Sequence, residues 1–452
     1  MTEVENLAPF FNPQSVALVG VSRDMDKFNG IILKNLLAVN YPGKIFLVNP
    51  YAKEILGYEC YPHVLDLPEI PELAIILHSD IVPILENCGK KGILNVIIQA
   101  DISLQKDEDR ERIEAEIIEI AQRYGIRFIG PSLIGLINFP GGFTSSIIPV
   151  RDHIARLGED PERAGIGFMA QSGGLSGACG WWNPSQNTSF AKVIHVNDFP
   201  GAIHDGAFLQ YLALDEQVRV ISLFLRKIND SLVESVREYS LKKPILFKKC
   251  GLQDDVDKLI DAGAYQVQDY MDLFEIAKAF VYAPLPPGNR IGLIGPSSGA
   301  IDLVLNEFKK NGLELAKPSP AIDGKIIELL QGKSVKRCNP VDFWPPPRFF
   351  GHEIGKIHHD ALEYLLSDDN VDAIFLVLEF FNEIEFDLRI FKDVMDRFPT
   401  KPIMGVLIQA EEEGMNRVIK TATELKIPLY MEPEQLVRAF SILHKHASKT
   451  RE

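Results

Sequence analysis

The chain has 452 residues, 46% of them hydrophobic, and a formal net charge of −15. That length exceeds what one hydrophobic core serves, so about two to four domains are expected, and no apolar run approaches the roughly 18–20 residues of a membrane span. The acidic balance disfavours nucleic acid as a partner, but it leaves room for an anionic ligand, which a nest of backbone amides can bind inside an acidic protein.

Five cysteines, Cys60, Cys88, Cys179, Cys250 and Cys338, stand singly without a CxxC pair. This fits a reducing compartment, the cytoplasm, and argues against a cysteine-rich zinc site. The acidic residues 1–6 lack a signal-peptide pattern.

Residues 1–148 alternate strand and helix. Strand candidates lie at 16–19, 44–48, 73–77, 95–98 and 127–129. Between them Ile31, Ile32, Leu36 and Leu37, then Ile113, Ile117 and Ile120, recur at helical spacing. The alternation predicts a doubly wound α/β domain with a parallel sheet, whose ligands bind at the carboxyl ends of the strands. Those ends carry Gly20, Ser22 and Arg23, then Asn49 and Pro50, then His78, Gln99 and Asp101, and finally Gly130, Pro131 and Ser132. The first turn, continued by Lys27 and Gly30, is not a GxGxxG fingerprint. It reads equally as a phosphate turn or as an ordinary tight turn. Lys44 before the second strand and Lys53 after Asn49-Pro50 either add positive charge there or are solvated surface lysines.

Residues 149–164 are polar and charged and read as a linker or edge loop. A second α/β unit follows, with strands at 165–169, 191–196, 218–225, 244–248 and 264–267. The stiff stretch Pro284-Leu-Pro-Pro-Gly288 leads to a third, with strands at 290–294, 373–378, 402–408 and 427–430. The expected division is 1–148, 149–287 and 288–452. Near 16–22, 166–177 and 291–299 a short apolar strand breaks into a glycine-bearing turn and runs into a helix. Free N–H groups and the positive end of the helix dipole point out of such a turn, so an anion can sit there.

Residues 12–22 (NPQSVALVGVS), 41–50 (YPGKIFLVNP) and 127–135 (RFIGPSLIG) resemble the coenzyme A-binding domain of nucleoside-diphosphate-forming acyl-CoA synthetases, the succinyl-CoA-synthetase-like enzymes. Gln171-Ser-Gly-Gly-Leu175 resembles the phosphate-binding helix start of their second domain. Residues 290–300 with Asn339-Pro-Val-Asp342 resemble their third. The ordered match spans nearly the whole chain and corresponds to their α subunit. It implies an α/β chain in which a Rossmann-like CoA-binding domain precedes two flavodoxin-like succinyl-CoA-synthetase-type domains. It implies CoA or acyl-CoA held by Gly20, Ser22, Arg23, Lys27, Lys44, Asn49, Pro50, Lys53, Gly130 and Pro131. Phosphate or an acyl group would sit at Gln171, Ser172, Gly173 and Gly174 with Lys248. ATP or ADP and Mg would enter only through a separate ATP-grasp β subunit, in a homo- or hetero-oligomer.

In that family, acyl-CoA and phosphate give an acyl phosphate. The phosphoryl group then passes to a histidine in a Ser-His-Thr-Gly loop, and the phosphohistidine swings to the nucleotide. The loop follows a lysine-containing strand, here 244–251 (PILFKKCG). What comes next, 252–260, runs directly into the following strand; the loop is short, and no histidine occurs between His204 and His352. The acidic residue that supports the phosphohistidine is replaced by Arg226-Lys227, and the family's Gly-Asn-Lys segment by Val196-Asn-Asp-Phe-Pro200. The usual Pro-Ala after the third strand is His78-Ser79, and the usual Gly-Phe after the fourth is Ala100-Asp101.

His204, after a strand end of the second unit, is either a relocated catalytic histidine or a surface, helix-start one. Arg226-Lys227 and Lys248-Lys249 end neighbouring strands. With the turn at 171–174 they either form a cationic pocket for phosphate, carboxylate or acyl phosphate, or simply face water. His358-His359 with His352 and Glu353 have a metal-like look, but adjacent histidines face different ways and no further ligand is apparent, so no metal site is expected. Trp181-Trp182 are expected to pack, and residues 343–347 (FWPPP) to form a stiff aromatic loop. Two functions remain open. One is an α-type subunit of an acid–CoA ligase. The other is a divergent relative that keeps CoA or acyl-CoA binding without phosphohistidine, as a transferase or lyase component or a non-catalytic binding protein.

Overall fold

The computed structural model describes residues 6–103, 105–149, 165–182, 190–251, 255–330, 338–343, 352–380 and 386–451. The expected linker at 150–164, the start of the shortened loop at 252–254, residues 344–347 and the side chains of Trp181 and Trp182 lie outside the described residues. The chain forms two compact units, 1–268 and 269–452.

The first unit holds two sheets. Sheet one contains β1 (Ser15–Val19), β2 (Lys44–Val48), β3 (Glu54–Ile55), β4 (Tyr58–Tyr61), β5 (Leu73–Ile76), β6 (Asn95–Ile98) and β7 (Arg127–Ile129), in the order β3-β4-β2-β1-β5-β6-β7. All neighbours are parallel except the β3–β4 hairpin. From β4 to β7 this is the 3-2-1-4-5-6 order of a dinucleotide-binding sheet. The helices are α1 (Ala8–Phe11), α2 (Phe28–Ala38), α3 (Ile81–Lys91) and α4 (Asp107–Tyr124). Hydrophobic β-branched strands covered on both faces bury almost every residue, as a parallel sheet requires.

Sheet two contains β8 (Leu136–Asn138), β9 (Phe143–Thr144), β10 (Ile166–Ala170), β11 (Phe190–His195), β12 (Val220–Leu225), β13 (Ile245–Lys249) and β14 (Tyr265–Gln266), in the order β14-β13-β12-β10-β11-β8-β9. Its helices are α5 (Gly173–Trp182), α6 (Asp205–Leu214), α7 (Asp230–Tyr239) and α8 (Val256–Asp261). The parallel part has the flavodoxin order 2-1-3-4-5. Strands β8 and β9 precede residue 148, yet they add antiparallel to β11. The boundary expected at 148/149 is therefore a change of motif and not of core, and one continuous hydrophobic cluster runs from Leu7 to Ala264.

The second unit begins with α9 (Asp272–Tyr282), ahead of the division expected at 287/288. Its sheet contains β15 (Arg290–Gly295), β16 (Glu314–Leu315), β17 (Val341–Asp342), β18 (Ala373–Phe380), β19 (Ile403–Ala410) and β20 (Leu429–Tyr430). The order β16-β15-β18-β19-β20 is again 2-1-3-4-5, with β17 also on β15. Around it lie α10 (Ser298–Phe308), α11 (Pro320–Leu329), α12 (His352–Leu366), α13 (Lys392–Arg397), α14 (Glu412–Glu424) and α15 (Pro433–Lys449). α9 is buried along its length, and the Arg438 guanidinium of α15 lies 3.0 Å from its Asp272 carboxylate. Asn339, from the Asn-Pro-Val-Asp segment, is a buried fastener. It accepts the Leu293 amide at 2.9 Å and donates to the Ile291 and Ala316 carbonyls, both at 2.9 Å. No helix among the described residues is long and apolar enough to cross a membrane.

Lys192 of β11 is 1% exposed, and its ammonium lies 2.5 Å from Asp215 and 3.2 Å from Gln217 Oε1. Burial pulls its pKa down, and Asp215 opposes that pull. Removing one member of such a pair leaves an uncompensated charge in the core. We predict that Asp215→Ala lowers the urea-unfolding free energy by about 3–5 kcal/mol, and that adding Lys192→Met recovers most of the loss. A single-variant loss below about 1 kcal/mol would contradict this account.

Candidate functional site

In sheet one the strand order reverses between β1 and β5, and the chain leaving β1 closes on the chain leaving β5. Gly20 has φ +91, and a Cβ there would stand 2.7 Å from His78 Cβ, so only glycine fits. The turn is tied by its neighbours. Asn49 Nδ2 donates to the Val21 carbonyl at 2.8 Å and Asn29 Nδ2 to the Gly20 carbonyl at 2.9 Å. The Asp24 amide donates to Ser22 Oγ at 3.0 Å. Beside this turn lies a cavity of about 560 Å³ lined by Asp26, Lys27, Phe28, Asn29, Leu77, Gln99 and Asp101, among others. Lys27 is the residue before α2, whose first amides have no intrahelical acceptors. The Phe28 ring is 67% exposed at the same point. Backbone amide and hydroxyl donors from Ser103, with the Ser132 hydroxyl, hold the Asp101 carboxyl below its usual range despite burial.

Not every expected residue comes here. Gly20, Ser22, Asn49 and Lys27 frame the turn and cavity, and Arg23, Pro50 and Lys53 are exposed nearby in sequence. Lys44 is at the amino end of β2, level with Ser15, and its ammonium lies 2.7 Å from Glu69. Five residues of strand put it about 16 Å from Asn49, so it is a surface ion pair at the wrong edge. Gly130 and Pro131 are buried at the end of β7, three strands from β1, and the Pro131 carbonyl accepts from Asn197 Nδ2 at 2.5 Å. They connect the two sheets and do not line the cavity.

The same loop explains the glycines of the 166–177 stretch. A Cβ on Gly173 would overlap Ile134 and meet His195 Cε1 at 3.0 Å. A Cβ on Gly177 would stand 2.5 Å from Ile148 and 3.0 Å from Ile134. These two glycines make room for the segment leaving sheet one; Gly174 alone has open space around it. Gln99 Nε2 holds that segment through the Ile134 carbonyl at 3.2 Å and the Ser145 carbonyl. Asn35 of α2 holds it through the Ser146 and Ile148 carbonyls at 2.7 and 2.8 Å. Within this turn a side chain would find open space only at Gly174.

β10, β12 and β13 are adjacent and their carboxyl ends do converge, as the sequence leads one to expect. The side chains there are already engaged. Gln171 Oε1 accepts the amides of Arg226 and Lys227 at 2.7 and 2.8 Å, and its Nε2 donates to Asp205 and to the Lys227 carbonyl, both at 3.1 Å. It therefore stitches the reversal point between β10 and β12 shut and is not free for phosphate. Ser172 supplies its carbonyl to the Ser176 amide at 3.0 Å. The Lys248 ammonium donates to the Gln268 carbonyl, and Lys227 pairs with Asp198 at 3.1 Å.

His204 caps α6. Its Nδ1 accepts the Ala207 amide at 3.3 Å and lies 3.0 Å from Ser231 Oγ. That is the helix-start role, not a placement for phosphoryl transfer. A histidine that the sequence reading passed over, His195, stands closer to the turn. Its position at the end of a strand was visible, but its contact with Gly173 was not. Its Nδ1 accepts the Ile134 amide at 3.0 Å, which puts the ring proton on Nε2, and burial pushes its pKa down to about 4. A phosphoryl acceptor needs a free nitrogen lone pair, and here that lone pair is taken. In the second unit His358 is buried between Phe343 and Phe386, while His359 turns outward to Asp360 and Asp393. Among the described residues no group of three or more His, Cys, Asp or Glu is placed to hold a metal ion.

Two outcomes follow from this packing. Gly173→Ala should cost about 1–3 kcal/mol through overlap with Ile134, whereas Gly174→Ala should change stability by under about 0.5 kcal/mol; equal losses in urea titrations would remove the packing explanation. The folded pKa of His195, about 4, lies below its ordinary 6.5, so between these values the unfolded chain binds more protons. Stability of the first unit should therefore fall as pH drops through that window, by up to about 1.4 kcal/mol per pH unit. His195→Asn, which keeps an acceptor for the Ile134 amide, should flatten that slope.

Comparison with known proteins agrees with this architecture. Residues 14–138 match the family model of a CoA binding domain, and residues 163–262 that of a succinyl-CoA ligase like flavodoxin domain. Acetate–CoA ligase [ADP-forming] II of Archaeoglobus fulgidus is 29% identical over 99% of this chain, which spans 68% of that relative's length. The α subunit of acetate–CoA ligase [ADP-forming] II of Pyrococcus furiosus is 27% identical, with 97% of each chain covered. The fold is that of the dinucleotide forming acetyl-coenzyme A synthetase 1 of Ca. Korarchaeum cryptofilum, with a TM-score of 0.83, 23% identity, and 99% of this chain and 97% of that one covered. Along nearly its whole length the chain is similar to ADP-forming acetate–CoA ligases and their α subunits, with a part that matches a CoA binding domain followed by a part that matches a succinyl-CoA ligase like flavodoxin domain.

Proposed function

We propose that the chain is the CoA- or acyl-CoA-binding α-type component of an NDP-forming acyl-CoA synthetase acting on a carboxylic acid. The observation that carries this reading is the cavity at the reversal point of sheet one, lined by residues 26–29, Leu77 and residues 99–101. Its lining offers one cation, Lys27, and an apolar portion, beside the carboxylates of Asp26 and Asp101. Lys27 and the first amides of α2 would take phosphate, and Phe28 and Leu77 would take a flat base or a pantetheine chain. A separate ATP-grasp subunit would bring ATP or ADP and Mg, in a hetero-oligomer. The cysteines Cys60 and Cys88 are buried and free, which suits a cytoplasmic home. The amides around Gly174 would receive the phosphate or acyl group.

A second reading has its own observation. Both histidines near the turn have Nδ1 engaged, and Arg226-Lys227 stand where the family's carboxylate belongs. On this reading the chain binds CoA or acyl-CoA without forming phosphohistidine, as part of a CoA-dependent transferase or lyase or as a binding protein.

Calorimetry with CoA tests the shared premise. Saturable binding is expected, with Lys27→Glu weakening it at least tenfold; no binding to the intact chain would end both readings. Incubation with labelled ATP, or with acyl-CoA and phosphate, with and without an ATP-grasp partner, separates the two. Acid-labile, base-stable label on this chain supports the synthetase relay, and CoA binding without label supports the second reading.

A further inference from the structure

The largest cavity described in the second unit, about 990 Å³, lies beside the carboxyl end of β18. It is bounded by α12, by the short helix Leu388–Phe391 and by α14. Its floor is apolar: Phe380, Phe386, Leu388, Ile390 and Val418. That floor is firm, because Phe386 stacks edge-on against Phe380 at 5.2 Å and Phe391 at 5.8 Å. Its rim carries Lys356, Arg389, Arg417 and Lys420, with His359, against the single lining carboxylate of Asp387. In a chain of net charge −15, composition alone would not place four cations against one acid.

Some of this charge is balanced from outside the lining. Lys356 pairs with Asp360, Arg389 reaches Glu424 at 2.5 Å as well as Asp387 at 2.8 Å, and Arg417 lies 3.5 Å from Glu413. His359 sits between Asp360 and Asp393. Arg417 and Lys420 stand one turn apart on α14 and are exposed, so an incoming anion can reach both with little desolvation. An apolar floor under a cationic rim, in a volume suited to a small molecule, fits one ligand class.

We propose that this cavity binds an amphipathic organic anion, a carboxylate or phosphate head on an apolar body, at a site separate from the sheet-one cavity. The head lies between Arg417, Lys420 and Lys356, and the body covers Phe386, Ile390 and Val418. This inference does not depend on the CoA reading.

Calorimetry on the full chain tests it with octanoate, octyl phosphate, acetate and octylammonium. At least one of octanoate and octyl phosphate is expected to bind saturably, and the favoured head group tells the two sources apart. Acetate and octylammonium should bind at least tenfold more weakly. The double variant Arg417→Glu/Lys420→Glu changes only exposed side chains and should weaken the octyl anion at least tenfold while leaving the CoA titration unchanged. Ile390→Trp, which fills the floor, should do the same. Absence of saturable binding by either octyl anion, equal binding of octylammonium, or full retention of binding in both variants would overturn the proposal.

Discussion

The first unit depends on two missing β-carbons. Gly173 and Gly177 lie one turn apart on α5, and Ile134 and Ile148 fill the space a side chain would take. Ile134 and Ile148 are half-buried there, so each contributes less than the ~1.5–3 kcal/mol of a fully buried isoleucine, and together they help hold the segment after sheet one against sheet two. Once that segment is fixed, β8 can pair on β11 and β9 on β8, the Ile134 amide meets His195, and the two sheets share one core. The glycines therefore serve packing first. Gly174 alone among the glycines of this turn has no neighbour where a side chain would stand.

The polar groups around this contact are arranged to be satisfied by the protein itself. Gln171 uses both ends of its amide, and Asp205 collects Gln171, Asn229 and the Gly206 amide at 2.8–3.1 Å. A network satisfied at every member is rigid, and loss of one member leaves buried polar groups unpaired. This is why the reversal point of sheet two is closed while that of sheet one is open: the first ends in a glutamine that bonds across the gap, the second in a glycine turn with a cavity beside it. Both units also keep a buried lysine with a carboxylate. Lys278 lies 2.5 Å from Glu275 and 4.6 Å from the centre of the Tyr430 ring, which parallels Lys192 with Asp215 and shows the same solution to a cation in a core.

The two histidines near the turn of sheet two both use Nδ1 to accept a backbone amide. Backbone amides at a helix start stabilise an oxyanion or a phosphate without a proton changing hands. Histidines at the edge are held in fixed tautomers by amide donors, one as a helix cap and one against the turn. The lysines expected to supply charge are partly spent on carbonyls and on Asp198.

Most strands were legible in the sequence because parallel strands covered on both faces are short apolar runs, and their spacing by helical segments set the order of the three sheets. Gly20 and its turn were legible for the same reason, since they follow directly from one strand. The hairpin β8–β9 and the short strands β16 and β17, each on β15, were not, because two- or three-residue strands carry no period. Lys44 begins its strand, which puts it at the amino end of a parallel sheet, opposite the ligand edge. Gln171 was read as a phosphate ligand because its local sequence offers amides to an anion, while its partners, Arg226 and Lys227, lie 55 and 56 residues away. The sequence by itself determined the strand–helix alternation, the turns and the absence of a histidine between His204 and His352. Only the tertiary structure decided which glycines make room for isoleucine, which polar side chains remain free, and which histidine reaches the turn, because each depends on atoms brought together from distant parts of the chain.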